Sequence, residues 1–240
     1  MNADQLISEI IQYCEANANP ETAAKSQRFF KEPHEFYGLS SPQITSKVKQ
    51  LLKTPGINLE TVIQATNTLV KSPKYEVPAF GLLLINGMGK QFTKETFASI
   101  ASWYTISIDN WAHADALGMM VLPQFMLKGI VNISAFKQWI VSPYKFQRRS
   151  VPVTLIKVLK NNKTADFTQY FAFIKPLMTD KEREVHQGVG WFLREAWKIQ
   201  PEPTEKFLLK WKDKAPRLII QYATEKMTKE NKERFKRFKA

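Results

Sequence analysis

Apolar positions along the chain recur every three to four residues, and almost nowhere do they alternate with period two. With only nine glycines among 240 residues and no Asn-Gly or Asp-Gly hairpin turns, strand signals are scarce and the pattern predicts an all-α protein. Residues 3–17 form a first helix that stops near "NANPE". A short helix through "AAKSQRFF" leads into the turn "KEPHEFYGLSSP", after which Ser41 as N-cap and Pro42 as first helical residue open another helix. From about residue 59 the helices come in pairs with short joints. "FKQWIVSPYKFQRRSVPVTLIKVLK" (136–160), "FAFIKPLMTDKEREVHQGVGWFLREAWK" (171–198) and "FLLKWKDKAPRLIIQYATEKM" (207–227) share one plan. Each has an aromatic and aliphatic helix, a polar break and a second helix. A spacing of roughly 30–40 residues matches helical-hairpin repeats of the HEAT or armadillo kind, which stack into a solenoid with one concave face. No linker rich in Gly, Pro or Ser interrupts 1–240, so the expectation is a single repeat domain, with a basic tail at about 228–240.

Three helices carry residues that their apolar stripes avoid. In "REVHQGVGWFLREAWK", Val185, Gly188, Val189, Phe192, Leu193 and Ala196 gather on one side, and Trp191 falls with Gln187, Arg194 and Lys198 on another. In "NWAHADALGMMVL", Ala114, Leu117 and Val121 mark the buried side. Trp111 and Asp115 sit together elsewhere, at i and i+4; Asp109, ahead of the helix, is the cap candidate. In "SPYKFQRRSVPVTLIKVL", Ser142-Pro143 reads as a helix start, Val151, Leu155, Val158 and Leu159 as the buried stripe, and Arg149 as pointing away. Pro152 should free the carbonyl of Arg148 or kink the first turns.

Charge then narrows the partner. The net charge is +13 and the isoelectric point near 9.7, which favours a polyanion, nucleic acid before a membrane surface. A hydrophobic share of 44% with 24% charged residues is ordinary for a globular protein. No apolar run approaches a membrane span, and the acidic, amphipathic start lacks a secretory layout. One cysteine, Cys14, excludes an internal disulfide and points to a reducing compartment. Cys14 and three scattered histidines, His34, His113 and His186, cannot supply the usual His/Cys metal ligands. No dinucleotide, P-loop or H-E-x-x-H motif occurs, so neither metal nor cofactor is expected.

If the three off-core groups converge, their chemistry is specific. Two indoles stabilise a cation through their ring faces. A carboxylate stabilises an adjoining positive centre or orients a water, and an arginine fixes a phosphate through paired N–H donors. Cation, water and phosphate together describe an alkylated purine nucleotide losing its base.

"IDNWAHADALG", "FQRRSV" and above all "VGWFLREAWK", with the earlier turn "FFKEPHEFYGLSSP", resemble the AlkD-like DNA alkylation repair proteins. The likeness spans about residues 29–200 in unchanged helix order. It implies a right-handed α-α superhelix of HEAT-like repeats. It also implies a monofunctional glycosylase that hydrolyses the N-glycosidic bond of cationic 3-methyladenine and 7-methylguanine in duplex DNA. Residue by residue, Trp111 and Asp115 resemble the family's W-x-x-x-D pair, Arg149 its arginine, and Trp191 the tryptophan of G-W-x-L-R-E; these four are the implied catalytic set. Asp115 would face the sugar cation and Arg149 a flanking phosphate. Arg148, Arg194, Lys198, Lys31 and Phe29 are the implied DNA contacts. His113 departs from the more acidic or polar residue usual within the motif. The resemblance further implies a monomer that works on DNA without a protein partner, in the cytosol or nucleoid of a bacterium. Two other readings stand beside it: a non-catalytic repeat protein that binds damaged or branched DNA, and a scaffold that grips a peptide.

Overall fold

The structure is a computed structural model that describes residues 1–236. Among these residues every regular element is helical, and the sole extended contact is an isolated bridge between Glu35 and Lys74. The chain is all-α, as its periodicity predicts. Contacts cluster into two compact units, Met1–Ile108 and Asp109–Ala240.

The first unit holds α1 (Ala3–Ala16), α2 (Pro20–Gln27), α3 (Ser41–Leu51), α4 (Leu59–Leu69), α5 (Glu76–Gly87) and α6 (Lys94–Ile106). α1 starts in a capping box between Asn2 and Gln5 and buries Leu6, Ile10 and Cys14 on one face. Burial pushes the Cys14 thiol up to about 12, so it stays a thiol at neutral pH. The opening of α3 lies one residue earlier than expected. Ser40 is the N-cap, in a capping box with Gln43, and Pro42 takes the second helical position. The turn before it depends on Gly38 at φ +88, where a Cβ would lie 2.0 Å from the Asn19 carbonyl oxygen. The buried Glu76 carboxylate holds that turn, accepting the N–H groups of Tyr37 (2.9 Å), Gly38 (2.8 Å) and Leu39 (3.2 Å).

The second unit runs through α7 (Trp111–Ala116), α8 (Leu122–Leu127), α9 (Lys137–Ile140), α10 (Lys145–Asn161) and α11 (Thr168–Ile174). It continues through α12 (Arg183–Ile199), α13 (Pro201–Trp211), α14 (Arg217–Thr224) and α15 (Lys229–Glu233). The three sequence pairs appear as α9–α10, α11–α12 and α13–α14. On α12 the expected stripe from Val185 to Ala196 is buried throughout. The stripe predicted for α10 is corrected: from Phe146 to Leu159 every residue except Lys157 is buried. α7 and α8 pack on this helix and so does α12, so from Phe146 to Ile156 no side of it is left to solvent. It also opens at Lys145 rather than at Ser142-Pro143; the Ser142 hydroxyl instead accepts the Tyr144 N–H at 3.1 Å. Pro152 lies inside the helix without ending it.

The tail reads from sequence as a solvated helix end or a frayed extension, and 228–236 is the former: a short helix, mostly exposed, that is nonetheless anchored. Thr228 caps α15, Phe235 is buried, and Arg234 pairs with Glu205 at 2.6 Å. The last tail residues, 237–240, lie outside the described residues.

Candidate functional site: a carboxylate–arginine fork between two helices

α7 begins under Asn110, not Asp109. The Asn110 side-chain oxygen accepts the His113 N–H at 2.9 Å, while Asp109 stays exposed. That commitment of the amide oxygen leaves the amide nitrogen to donate to His113 Nδ1, 2.8 Å away. The buried His113 thus braces the first turn from inside. Trp111 occupies the first helical position and is 39% exposed. Asp115 follows one turn later on the same side.

Two residues after Asp115 the helix widens into a π turn over Leu117–Val121, with the Leu122 N–H donating to the Leu117 carbonyl. Pro123 contributes, having no N–H for the regular ladder. The widened turn lies against α10 at Gly118, where a Cβ would come within 2.8 Å of Val153 Cγ1. π turns of this kind are frequent at functional sites.

Asp115 meets Arg149 in a two-pronged pair: Nε donates to Oδ1 and Nη2 to Oδ2, each at 2.8 Å. The Asp115 side chain keeps 16% exposure and Arg149 only 7%. Nη1 of Arg149 also donates to the Glu184 carbonyl on α12 at 2.6 Å, so one guanidinium ties α7, α10 and α12. Gly188 makes room for its stem, since a Cβ there would lie 3.1 Å from Arg149 Cγ. Arg149 is therefore buried rather than pointing into solvent. One N–H each on Nη1 and Nη2 has no acceptor among the described residues.

Arg148, the neighbouring position, turns to a different partner. Its Nε and Nη2 take Asp180 at 2.6 and 3.2 Å, and Nη1 donates to the Ser142 carbonyl at 2.6 Å. The two arginines form two separate buried pairs, which fixes the register of "FQRRSV". Glu184 itself pairs with Lys145 at 3.1 Å. Burial alone would raise its carboxyl, but its own backbone N–H and the Lys145 ammonium hold it below the usual range.

Trp191 lies on α12 three residues beyond Gly188 and is half-buried. One turn further on, the buried Glu195 gathers Lys160 (2.7 Å), Lys198 (2.8 Å) and Arg194 (3.4 Å). Burial works against ionisation of Glu195, yet hydrogen bonds from Lys160 and Lys198 and their charges bring it down to about 2. Arg194 also pairs with Glu225 on the far side. Phe29 and Lys31 stand exposed on the turn after α2, in the first unit. Sequence reasoning missed Asp180, Glu184, Glu195 and Lys160. Only the i,i+3 pairing of Glu195 with Lys198 was readable from spacing.

Comparison with known proteins bears on the fold and the family. A solved structure described as a predicted DNA alkylation repair enzyme from Enterococcus faecalis is similar to it at a TM-score of 0.76 and 19% sequence identity. The match covers 89% of this chain and 98% of that one, and at this identity it establishes the shared fold. No curated protein matches the chain in sequence. The family described as DNA alkylation repair enzyme matches residues 10–227, nearly the whole length, and the chain belongs to that family.

Proposed function

We propose that the protein is a monofunctional DNA glycosylase that releases cationic alkylated purines, 3-methyladenine and 7-methylguanine, from duplex DNA. The observation that carries this reading is a partly open carboxylate, fixed on both oxygens by Arg149 and one turn from the exposed ring of Trp111. An alkylated ring nitrogen gives the base a positive charge. When the C1′–N bond breaks, its electron pair returns to the base, which leaves neutral, so little acid catalysis is needed. The cation passes to the sugar. Asp115 faces that developing charge and orients the water that adds at C1′, whose proton is lost to solvent, leaving an abasic site. Preorganised electrostatics of this sort contribute most where they cannot rearrange, and the Arg149 fork supplies that rigidity.

Trp111 and Trp191 contact the lesion nucleotide through their ring faces. The spare N–H groups of Arg149 are those available to a flanking phosphate. Arg148, closed on Asp180, supports the site from behind, and Arg194 and Lys198 add backbone affinity that weakens with salt. No lysine nucleophile is required.

The test is release of free 7-methylguanine and 3-methyladenine from methylated duplex DNA, followed by chromatography, with Asp115→Asn alongside. The wild type should release both. The variant should be slower by about a hundred- to a thousandfold with duplex binding retained. In a second reading, a repeat protein that binds damaged DNA without excision, the same fork is only a structural tie between α7, α10 and α12. Tight, salt-dependent binding with no base released would establish it instead.

A further inference from the structure

The family match ends at residue 227, but the helical chain does not. Residues 228–236 fold back as α15 and close a cleft of about 440 Å³ against α14. Four cations line it, Arg217, Lys229, Lys232 and Lys236, with two carboxylates, Glu225 and Glu233. The segment is built in rather than draped. Phe235 is 1% exposed and forms part of the cleft wall. Lys232 Nζ donates to the Glu225 carbonyl at 2.9 Å, and Arg217 Nη1 to the Phe235 carbonyl at 3.4 Å.

The carboxylates are already occupied. Glu233 pairs with Lys236 at 2.6 Å, and Glu225 takes both Arg194 and Lys226. Lys229 has no ion-pair partner among the described residues, and neither Lys232 nor Arg217 meets a carboxylate there. The cleft therefore presents uncompensated positive charge. Arg194 connects it to the candidate site, since that side chain lies one turn from Trp191 on α12 and reaches Glu225 at the cleft's edge.

We infer that the cleft between α14 and α15 is a second phosphate-binding site, which grips the backbone of duplex DNA away from the lesion. The inference rests on the proposed function only in taking duplex DNA as the ligand. Three exposed or half-exposed cations around the buried Phe235 and Ile220 suit a phosphodiester, which offers charge and acceptor oxygens but no base edge. Such a grip would add affinity without sequence preference and without touching the reacting sugar.

The test is the salt dependence of binding to unmodified duplex DNA, for the wild type, Lys229→Gln and Lys229→Gln/Lys232→Gln. Every phosphate that is no longer neutralised should lower the slope of log affinity against log salt by about 0.9. The slope of the double variant should therefore be shallower by close to two, with base release at saturating enzyme unchanged. A slope unchanged in a double variant of unaltered circular dichroism would overturn the inference. Vesicles containing phosphatidylglycerol form the second arm; loss of vesicle binding with an unchanged DNA slope would assign the cleft to a membrane surface and equally overturn it. Because the slope is read on undamaged DNA, a wild type that releases no base while the slope still falls would defeat the glycosylase reading alone.

Discussion

In the first unit the buried carboxylate is Glu76, held by three consecutive backbone N–H groups. In the second, Asp115, Asp180 and Glu195 are held by arginine and lysine side chains. The charge divides the same way. Residues 1–108 carry 10 Lys and Arg against 9 Asp and Glu, while residues 109–240 carry 25 against 13. Backbone donors cannot turn away from the acid they hold, so Glu76 is a structural anchor for the Gly38 turn. Side-chain cations can be shared with a ligand, and the second unit has them in surplus. Both units have helical cores, and the difference lies in what neutralises their acids.

The sharpest way to break that contrast is Arg149→Ala. It leaves Asp115 partly buried and unpaired, which should cost about 3 kcal/mol or more in stability. Base release per folded molecule should fall by about a hundredfold, since the carboxylate loses its fixed aim. Denaturant unfolding and single-turnover release measure the two effects, and Arg149→Lys should restore charge but not the fork. Next in size is Glu76→Gln, which weakens three charge-assisted bonds and should cost about 2–3 kcal/mol. Urea unfolding checks this, and release per folded molecule should not change. If release falls with it, Glu76 is more than an anchor.

Trp111→Ala should lower kcat/KM about tenfold, the equivalent of a cation–π contact of about 1–2 kcal/mol, with little effect on thermal stability because the ring is 39% exposed. The narrowest effect is confined to acid. Glu195 is depressed from 4.5 to about 2 when folded. Its contribution is therefore present above 4.5 and is lost as pH falls from there towards about 2. In Glu195→Gln the stability measured by urea should fall less steeply across that window. An identical acid limb would mean that the lysines around Glu195 do not hold it ionised.

Helices with one wet side were legible from sequence. On α12 the stripe from Val185 to Ala196 is apolar because its other side meets solvent and salt bridges, and periodicity reports that contrast directly. α10 defeated the same reasoning. It is covered on more than one side, and its buried polar residues are satisfied by partners that spacing does not reveal. The Arg149–Asp115 pair joins residues 34 apart, and Arg148–Asp180 residues 32 apart. Trp111, Asp115, Arg149 and Trp191 each stood out from the sequence one by one; the fork that joins two of them did not. The cap of α7 failed for a more local reason. Asp109 and Asn110 are both good caps, and the backbone geometry that chooses between them is not written in either residue.

The widened turn at Leu117–Val121 makes chain length itself part of the site. Removing one residue there would turn Asp115 by roughly 100° relative to everything after Leu122, carrying it off Arg149 although every named side chain survived. A lineage that loses or gains a residue in this stretch can keep the W-x-x-x-D letters and still be unable to aim them. Comparisons that let gaps open freely between Asp115 and Pro123 will therefore credit the motif to chains that no longer have it in space.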